Sequence, residues 1–351
     1  MDERRRALVA GLRANAKQWH EDGSHFYGTL VERLAEDVEQ GGPCWPVLRA
    51  HADHPLGEVP GVRLLGGVHR LVLQGRAPAL ARHYESVGGD GDAEAAWPLV
   101  RDVVARHASE LAAWVDHVPQ TNEVSRSMAL VGGWLVVAAE TGKPLRLLEP
   151  GASAGLNLRC DRYWYESGGD GYGDRDSPVR FVDRWSPRVP PLATRCEIAE
   201  RRGCDRFPLD VGREDDRLTL LAYVWPDQRE RFELLRDALD VARAFPVEID
   251  QADGPEWLEA QLATLPAGHA TLVFHSYFWQ YLKPADATRA RRAIEDAGDR
   301  AKQHAPLAWL ALEEARGDYA RSELRLTTWP GGEERLLATC HVHPHVVDWV
   351  R

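Results

Sequence analysis

Between Leu145 and Asn157 the chain sets an apolar run, a carboxylate and a string of small residues in immediate succession. Leu145–Leu148 leads into Glu149 and Pro150. Then come Gly151, Ala152, Ser153, Ala154 and Gly155, with Asn157 in what should be the first turn of a helix. A strand that ends in an acid and enters a run without bulky side chains lets backbone N–H groups approach a ligand closely at a helix N-terminus. The glycines permit both the sharp turn and the close contact. The pattern predicts nucleotide or cofactor binding, and its simplest alternative is a tight strand-to-helix turn that only packs.

A second group of reactive side chains closes the run Ala270–Ser276, where His275 and Ser276 precede Tyr277, Phe278, Trp279 and Tyr281. A histidine at a strand's carboxyl end suits a general base acting on a hydroxyl, amine or carboxylate acceptor, set against a histidine satisfied by a neighbouring backbone group. The aromatics read as the wall of an acceptor pocket or as ordinary packing. Trp225, beside Pro226-Asp227-Gln228, is a candidate cover for the site. Glu313 and Glu314 end another strand and suit either a cationic acceptor or a solvated loop. His341, His343 and His345 alternate, so one strand would point all three to one side. Pro344 interrupts that strand and no carboxylate or cysteine pattern completes a ligand set, so no metal is expected.

The elements that must position these residues change character near residue 143. Before it the chain reads as helix: Arg4–Trp19, Phe26–Glu39, Leu71–Val87 and Ala95–Val115 have apolar residues at three- and four-residue spacing. Ser24 and either Thr121 or Asn122 are expected N-caps, and Gly41–Pro43 and Gly142–Pro144 are expected stops. Only Val62–Leu65 hints at extended chain. After residue 143, strands at Leu145–Leu148, Ile198–Cys204, Val247–Asp250, Ala270–Ser276 and Leu307–Leu312 alternate with helices at Arg229–Ala244, Pro255–Leu265 and Ala285–His304. That alternation predicts a parallel sheet with helices on both faces. Glu323–Trp329 and Arg335–Val342, flanking Pro330-Gly331-Gly332, predict a terminal hairpin. Residues 159–192 break the rhythm and read as an inserted hairpin with a long loop.

Composition narrows the partners. The 351 residues are 44% hydrophobic and 28% charged, which suits a globular protein with a large core. A net charge of −11 without a long basic tract argues against nucleic acid. The excess of arginine over lysine reads as genomic bias. Cys44, Cys160, Cys196, Cys204 and Cys340 are odd in number, widely spaced and without a Cys-x-x-Cys pair, which excludes a disulfide framework and a structural zinc site. No apolar run follows Met1 as in a secretory signal, and none is long enough to span a bilayer. A cytoplasmic protein with no membrane partner is expected.

The segment Glu149-Pro-Gly-Ala-Ser-Ala-Gly155 resembles motif I of the class I S-adenosylmethionine-dependent methyltransferases, an acid followed by Gly-x-Gly-x-Gly, with Ser153 at the middle glycine. The resemblance extends over roughly residues 121–351. It implies that S-adenosylmethionine is the cofactor and that Glu149, Gly151, Ser153, Gly155 and Asn157 bind it, with Gly151 where its amino-acid end approaches the backbone. It implies that Asp205, with Asp210 as competitor, holds the ribose hydroxyls, and that Asp253 faces the adenine amino group. His275 and Ser276 fall at the reaction site. Asn122, Glu123 and Arg126 fall on the helix that closes over the cofactor in such enzymes, with Arg126 as a binding residue. The terminal hairpin looks like the family's reversed seventh strand. Two departures stand out. Gly155 and Asp205 are 50 residues apart against about 20 in a plain dinucleotide fold, an excess the inserted hairpin explains. The fourth strand also lacks the Asn/Asp-Pro-Pro-aromatic motif of amino-directed enzymes. The whole chain is also similar to an uncharacterised bacterial family of unknown function, through Gln120–Arg126, Glu149–Asn157, Val224–Gln228 and Phe274–Ser276.

The same turn is also Gly-x-Ser-x-Gly, similar to the nucleophile elbow of α/β-hydrolases. Ser153 would then be the nucleophile, Asp253 or Asp286 the acid, and His341, His343 or His345 the base. Against it, residues 1–142 supply helices where strands should precede the elbow, no oxyanion segment is in place, and Glu149-Pro150 departs from the usual lead-in.

The expected architecture is therefore α/β. A helical N-terminal part, residues 1–142, serves as a lid, and a Rossmann-like, mostly parallel sheet with an antiparallel C-terminal edge spans 143–351. The expected function is a cytoplasmic S-adenosylmethionine-dependent methyltransferase. Its partner is a small-molecule acceptor, with no nucleic acid, no membrane and a homodimer as an open assembly. The alternatives are a serine hydrolase using Ser153 and a non-methylating or non-catalytic S-adenosylmethionine-binding protein.

Overall fold

The computed structural model describes residues 2–21, 23–52, 59–117, 119–315 and 318–350. They form two compact units, Met1–Thr121 with Arg213–Arg236, and Asn122–Gly212 with Asp237–Arg351. The expected break at 142/143 thus falls inside the second unit, and residues 213–236 join the helical one.

The helical unit opens with α1 (Glu3–Glu21) and α2 (His25–Gln40). Ser24 caps α2, its Oγ accepting the Tyr27 N–H, and Gly41 ends it in the left-handed conformation at φ 77°. Leu12, Leu30, Val31 and Leu34 bury the α1–α2 interface. Then come α3 (Cys44–Leu48), α4 (Pro60–Leu73), α5 (Pro78–Ala81), α6 (Ala93–Arg106) and α7 (Ala108–Val115). Val62–Leu65 is helical, not extended, and the single helix expected over Leu71–Val87 is broken. α4 stops at Leu73, Gly75 turns left-handed at φ 71°, and Pro78 starts a new helix because its ring fits only a first turn. α8 (Ser127–Thr141) belongs to the other unit, while α9 (Glu214–Ala222) and the first half of α10 (Arg229–Ala244) complete this one. Trp225 packs here against Trp19 at a centroid distance of 5.2 Å, and Asp227 accepts hydrogen bonds from Ser24 Oγ and the Phe26 N–H.

The second unit is built on twelve strands: β1 (Leu145–Pro150), β2 (Trp164–Ser167), β3 (Asp170–Gly173), β4 (Arg180–Val182), β5 (Trp185–Pro187), β6 (Ile198–Asp205), β7 (Glu248–Gln251), β8 (Ala270–Ser276), β9 (Leu307–Ala315), β10 (Asp318–Trp329), β11 (Glu333–His341) and β12 (Val347–Trp349). Nine form one mostly parallel sheet in the order β5-β12-β11-β10-β9-β8-β1-β6-β7. Its parallel core, β7-β6-β1-β8-β9, has the order of a doubly wound sheet, which reverses direction between β1 and β8.

All six residues of β1 are buried, as a strand covered on both faces requires. Alternation sends Val273 and Trp309 to a core shared with α11 (Gly254–Gln261) and α12 (Pro284–Arg300). Phe274 points the other way, onto Trp134 of α8, with ring centroids 5.1 Å apart. The close approach of α8 needs Gly133, where a Cβ would stand 2.5 Å from Leu310.

Two expectations need correction. The inserted segment is a three-stranded sheet, β3-β2-β4, with β4 parallel to β2, and β5 leaves it to become an edge strand of the large sheet. The hairpin at Pro330–Gly332 exists, but β10 also pairs antiparallel with β9. The reversed strand is therefore part of a meander from β9 to β12 and not a lone terminal hairpin. Among the described residues no helix is long and apolar enough to cross a membrane.

Candidate functional site

The carboxyl ends of β1, β6, β7 and β8 fall on one edge of the sheet, where Pro150 pairs with Cys204 and Cys204 with Asp250. The switch in strand order falls there, between the loops that follow β1 and β8, the place where open α/β sheets bind ligands.

The loop after β1 adopts a left-handed conformation at alternate residues, with φ of 72° at Gly151, 53° at Ser153 and 67° at Gly155. Glycine tolerates this and serine does so at a cost. A Cβ on Gly151 would stand 2.8 Å from the ring of Phe278, and one on Gly155 2.7 Å from Ile249. The loop spends much of its backbone on the protein. Ala152 N–H donates to the Cys204 carbonyl at 2.9 Å, Gly155 N–H to the Ala152 carbonyl at 2.7 Å, and Ser153 N–H to Asp205 Oδ2 at 2.9 Å. Leu156 N–H donates to Asn122 Oδ1 at 3.1 Å. The α-helix expected after the turn is absent. Asn157–Arg162 is a short 3-10 segment, kinked at Arg159, so no long helix dipole points at the loop.

Charge beneath the loop is arranged unusually. Glu149 is 2% exposed and takes a hydrogen bond from Asn157. Burial pushes its carboxyl well above the usual carboxylate range, with Asn157 and Arg159 opposing and Asp205 adding to the rise. Among the described residues Glu149 Oε2 and Asn157 Oδ1 have no hydrogen-bond partner. Two orphaned oxygens side by side call for a partner, because an unpaired buried polar atom costs about 1–3 kcal/mol. Arg159, the cation that acts on Glu149, is buried and otherwise engaged. Its guanidinium donates to the carbonyls of Ala154, Gly155 and Phe245 at 3.2, 2.6 and 2.7 Å.

Asp205 ends β6 as expected, with Oδ2 on Ser153 N–H and Oδ1 on the Phe207 N–H at 2.9 Å. Each oxygen keeps a second lone pair for a ligand. Its competitor Asp210 accepts the Gly212 N–H within its own turn. Asp253, at the start of α11, is ion-paired with Arg206, and Phe207 beside them is 68% exposed.

His275 and Ser276 end β8 at this edge, but the histidine is fully engaged. Trp309 Nε1 donates to its Nε2 at 2.9 Å, and its Nδ1 lies 2.7 Å from Glu313 Oε1. An indole only donates, so Nε2 accepts and Nδ1 carries the hydrogen. In this arrangement neither ring nitrogen is open to an acceptor's proton. Glu313 also accepts the Phe278 N–H at 2.9 Å, which places it in the support of the loop after β8. Tyr277 turns left-handed at φ 53°, and Phe278 fills the space between Gly151 and Gly254.

The segment expected to cap a helix has a wider role. Asn122 reaches the loop after β1, and Glu123 Oε2 lies 2.8 Å from His343 Nδ1. Arg126 lies over the Tyr277 ring at 4.1 Å and donates to the Val342 carbonyl at 3.2 Å. Glu149, Gly151, Ser153, Gly155, Asn157 and Asp205 are thus brought together, with Arg126 and Ser276 on the β8 side and Asp253 beyond β7. Sequence reasoning missed Arg159 and the Glu123–His343 pair. A cation flanked by Leu158 and Cys160 was the only signal for the first. Among the described residues no group of three or more His, Cys, Asp or Glu could hold a metal ion.

Residues 10–349 match the model of a family described as an uncharacterized protein conserved in bacteria (DUF2332). No curated protein and no solved structure matches the chain.

Proposed function

The chain belongs to this bacterial family, and we propose that it is an S-adenosylmethionine-dependent transferase, most simply a methyltransferase acting on a small molecule. One observation carries the reading: Glu149 Oε2 and Asn157 Oδ1 lie buried without a partner among the described residues, beside a glycine loop at the sheet's switch point. A ligand with an ammonium and a sulfonium answers two acceptors under an acid far better than a phosphate would, since the loop's N–H groups are largely spent. The fit extends to Asp205, whose remaining lone pairs suit ribose hydroxyls, and to Asp253 near an adenine amino group.

When bound, the sulfonium supplies an activated methyl group. The chain's own residues would hold and exclude. Asp205 holds the loop after β1 through the Ser153 N–H, and the ring of Phe278, packed against Gly151 and Gly254, would cover the ligand's amino-acid end. Calorimetry with S-adenosylmethionine and S-adenosylhomocysteine on the purified protein tests the reading, and no binding of either removes it.

A second reading rests on a separate observation. Ser153 has φ 53° in a Gly-x-Ser-x-Gly turn after a strand, the backbone that a nucleophile elbow requires. Stoichiometric labelling of Ser153 by a fluorophosphonate would favour a serine hydrolase over the transferase.

A further inference from the structure

We propose that His20 and His25 form a binding site for a zinc ion in the helical unit, with Glu32 as the carboxylate that orients His20. The site is independent of the proposed transfer. The turn between α1 and α2 brings the two rings together. Gly23 turns left-handed at φ 86°, and the Gly23 and Ser24 N–H groups donate to the carbonyls of His20 and Trp19 at 3.2 and 2.9 Å. That closure folds the end of α1 back on the start of α2, where His25 is the first residue after the cap Ser24. His20 Nδ1 then stands 3.4 Å from His25 Nδ1, with the ring centroids 5.7 Å apart.

The spacing decides between two readings. A good hydrogen bond from a ring N–H is about 2.7–3.2 Å long. Two nitrogens bound to one tetrahedral zinc, each about 2.0–2.1 Å from it, stand about 3.3–3.4 Å apart. A square-planar or octahedral ion at the same bond length needs about 2.9 Å. The observed separation is that of the tetrahedral ion. The surroundings suit the same ion. Glu32 Oε1 lies 3.6 Å from His20 Nε2, the nitrogen left over once Nδ1 takes the metal. A carboxylate there favours the hydrogen on Nε2 and leaves the Nδ1 lone pair for the ion, the usual arrangement of a metal-bound histidine. Gly28 seats the ring: a Cβ there would stand 2.6 Å from His20 Cε1, so the imidazole lies against the bare backbone of α2. His20 lies in the last turn of α1, where unpaired carbonyls favour a cation. The Phe26 and Tyr27 N–H groups of α2, which oppose one, are met by Asp227 and Ser24.

Among the described residues no third His, Cys, Asp or Glu completes a ligand set with this pair. Two protein ligands leave two tetrahedral positions to water, so the ion exchanges and is not a permanent structural zinc. The site is open to solvent, since the His20 side chain is 30% exposed and His25 is exposed. Each Nδ1 gives its lone pair to the ion, and the hydrogen held between the rings passes through solvent to His25 Nε2. A protonated ring has no lone pair to give, so acid weakens binding. The bound ion ties the end of α1 to the start of α2, and at about 100 times its Kd it favours the folded state about 100-fold.

The test is calorimetry with zinc chloride on the full chain, untagged and stripped with a chelator, near neutral pH. One equivalent should bind with a Kd of about 100 μM or tighter. Magnesium chloride should give no heat, because that ion takes oxygen ligands. His20→Gln and His25→Gln should each weaken zinc binding by at least about 100-fold, and Glu32→Gln by about 10- to 100-fold. Nitrogen-15 spectra of histidine-labelled protein should show zinc shifting Nδ1 of both rings while Nε2 of each keeps its hydrogen. The site is overturned if the wild-type protein binds zinc more weakly than about 100 μM. It is overturned equally if either histidine variant keeps the wild-type affinity, or if the spectra place the ion on other histidines. Wild-type affinity in Glu32→Gln overturns the orienting role of that carboxylate.

Discussion

Asp205 accepts the backbone N–H of Ser153 across 52 residues of sequence, at 2.9 Å. The acid at the end of β6 therefore braces the loop after β1. Asp205→Ala removes the acceptor for two N–H groups, and hydrogen bonds to a charged partner contribute about 1.5–3 kcal/mol each. The variant should lose both thermal stability and S-adenosylmethionine affinity. Asp210→Ala, which removes the acceptor of the Gly212 N–H, should change the affinity much less. Melting and calorimetry on the two variants check this. An unchanged midpoint in Asp205→Ala would remove the brace from the account.

Gly151→Val should abolish cofactor binding in a folded protein. Any side chain there meets Phe278 at 2.8 Å from a backbone of positive φ. The ring or the loop must shift, and both border the switch point. Calorimetry giving wild-type affinity in a folded variant would separate the loop from the ligand.

Ser153→Gly should be tolerated and mildly stabilising. Glycine relieves the left-handed strain, and the gain is partly offset by greater freedom of the unfolded chain, leaving about 0.5–1 kcal/mol. Cofactor affinity should stay within a factor of about three, which is roughly 0.7 kcal/mol. Loss of activity with intact binding would favour the nucleophile reading.

The α/β alternation, the glycine turn, the strand Ala270–Ser276 and the caps Ser24, Gly41 and Gly142 are legible in the sequence, because each depends on neighbours a few residues away. Val62–Leu65 misleads because its β-branched and apolar residues sit in a helix that buries nearly its whole circumference, Gly66 and Gly67 included. The pairing of β5 with β12 leaves no local trace, since a three-residue edge strand gains its identity from a partner far along the chain. The same holds within the site. His275 looks like a base until Trp309 and Glu313 are seen on its two nitrogens, and His343 looks like one of three alternating histidines until Glu123 is seen beside it. Periodicity reports burial, whereas the partner of a polar side chain depends on topology.

In the helical unit His69 is buried, with Nδ1 at 3.2 Å from the Ala222 carbonyl and Nε2 at 2.8 Å from Ser86 Oγ. Burial lowers its pKa from 6.5 to about 4. The unfolded chain therefore binds a proton that the folded one refuses. The stabilising contribution is complete above pH 6.5 and is lost as the pH falls toward 4, by up to about 3 kcal/mol. His69→Gln keeps a donor and an acceptor without titrating. Urea unfolding at pH 7.5 and 4.5 should show a smaller acid loss in the variant than in the wild type. Equal losses would mean that His69 is not held neutral.

The strand Val347–Trp349 carries a consequence for how the sheet is completed. Trp349 is buried, and a Cβ on Gly132 of α8 would stand 2.6 Å from its ring, so the helix is shaped to receive it. The same strand receives β5 on one side and β11 on the other. During synthesis α8 and the insert therefore leave the ribosome with a vacant seat and an uncapped strand edge, and both are closed only when Val347–Trp349, made long after them, arrive. Until then an apolar cleft and unpaired backbone groups are open to other chains, which makes this corner the place where a stalled or shortened product would aggregate first.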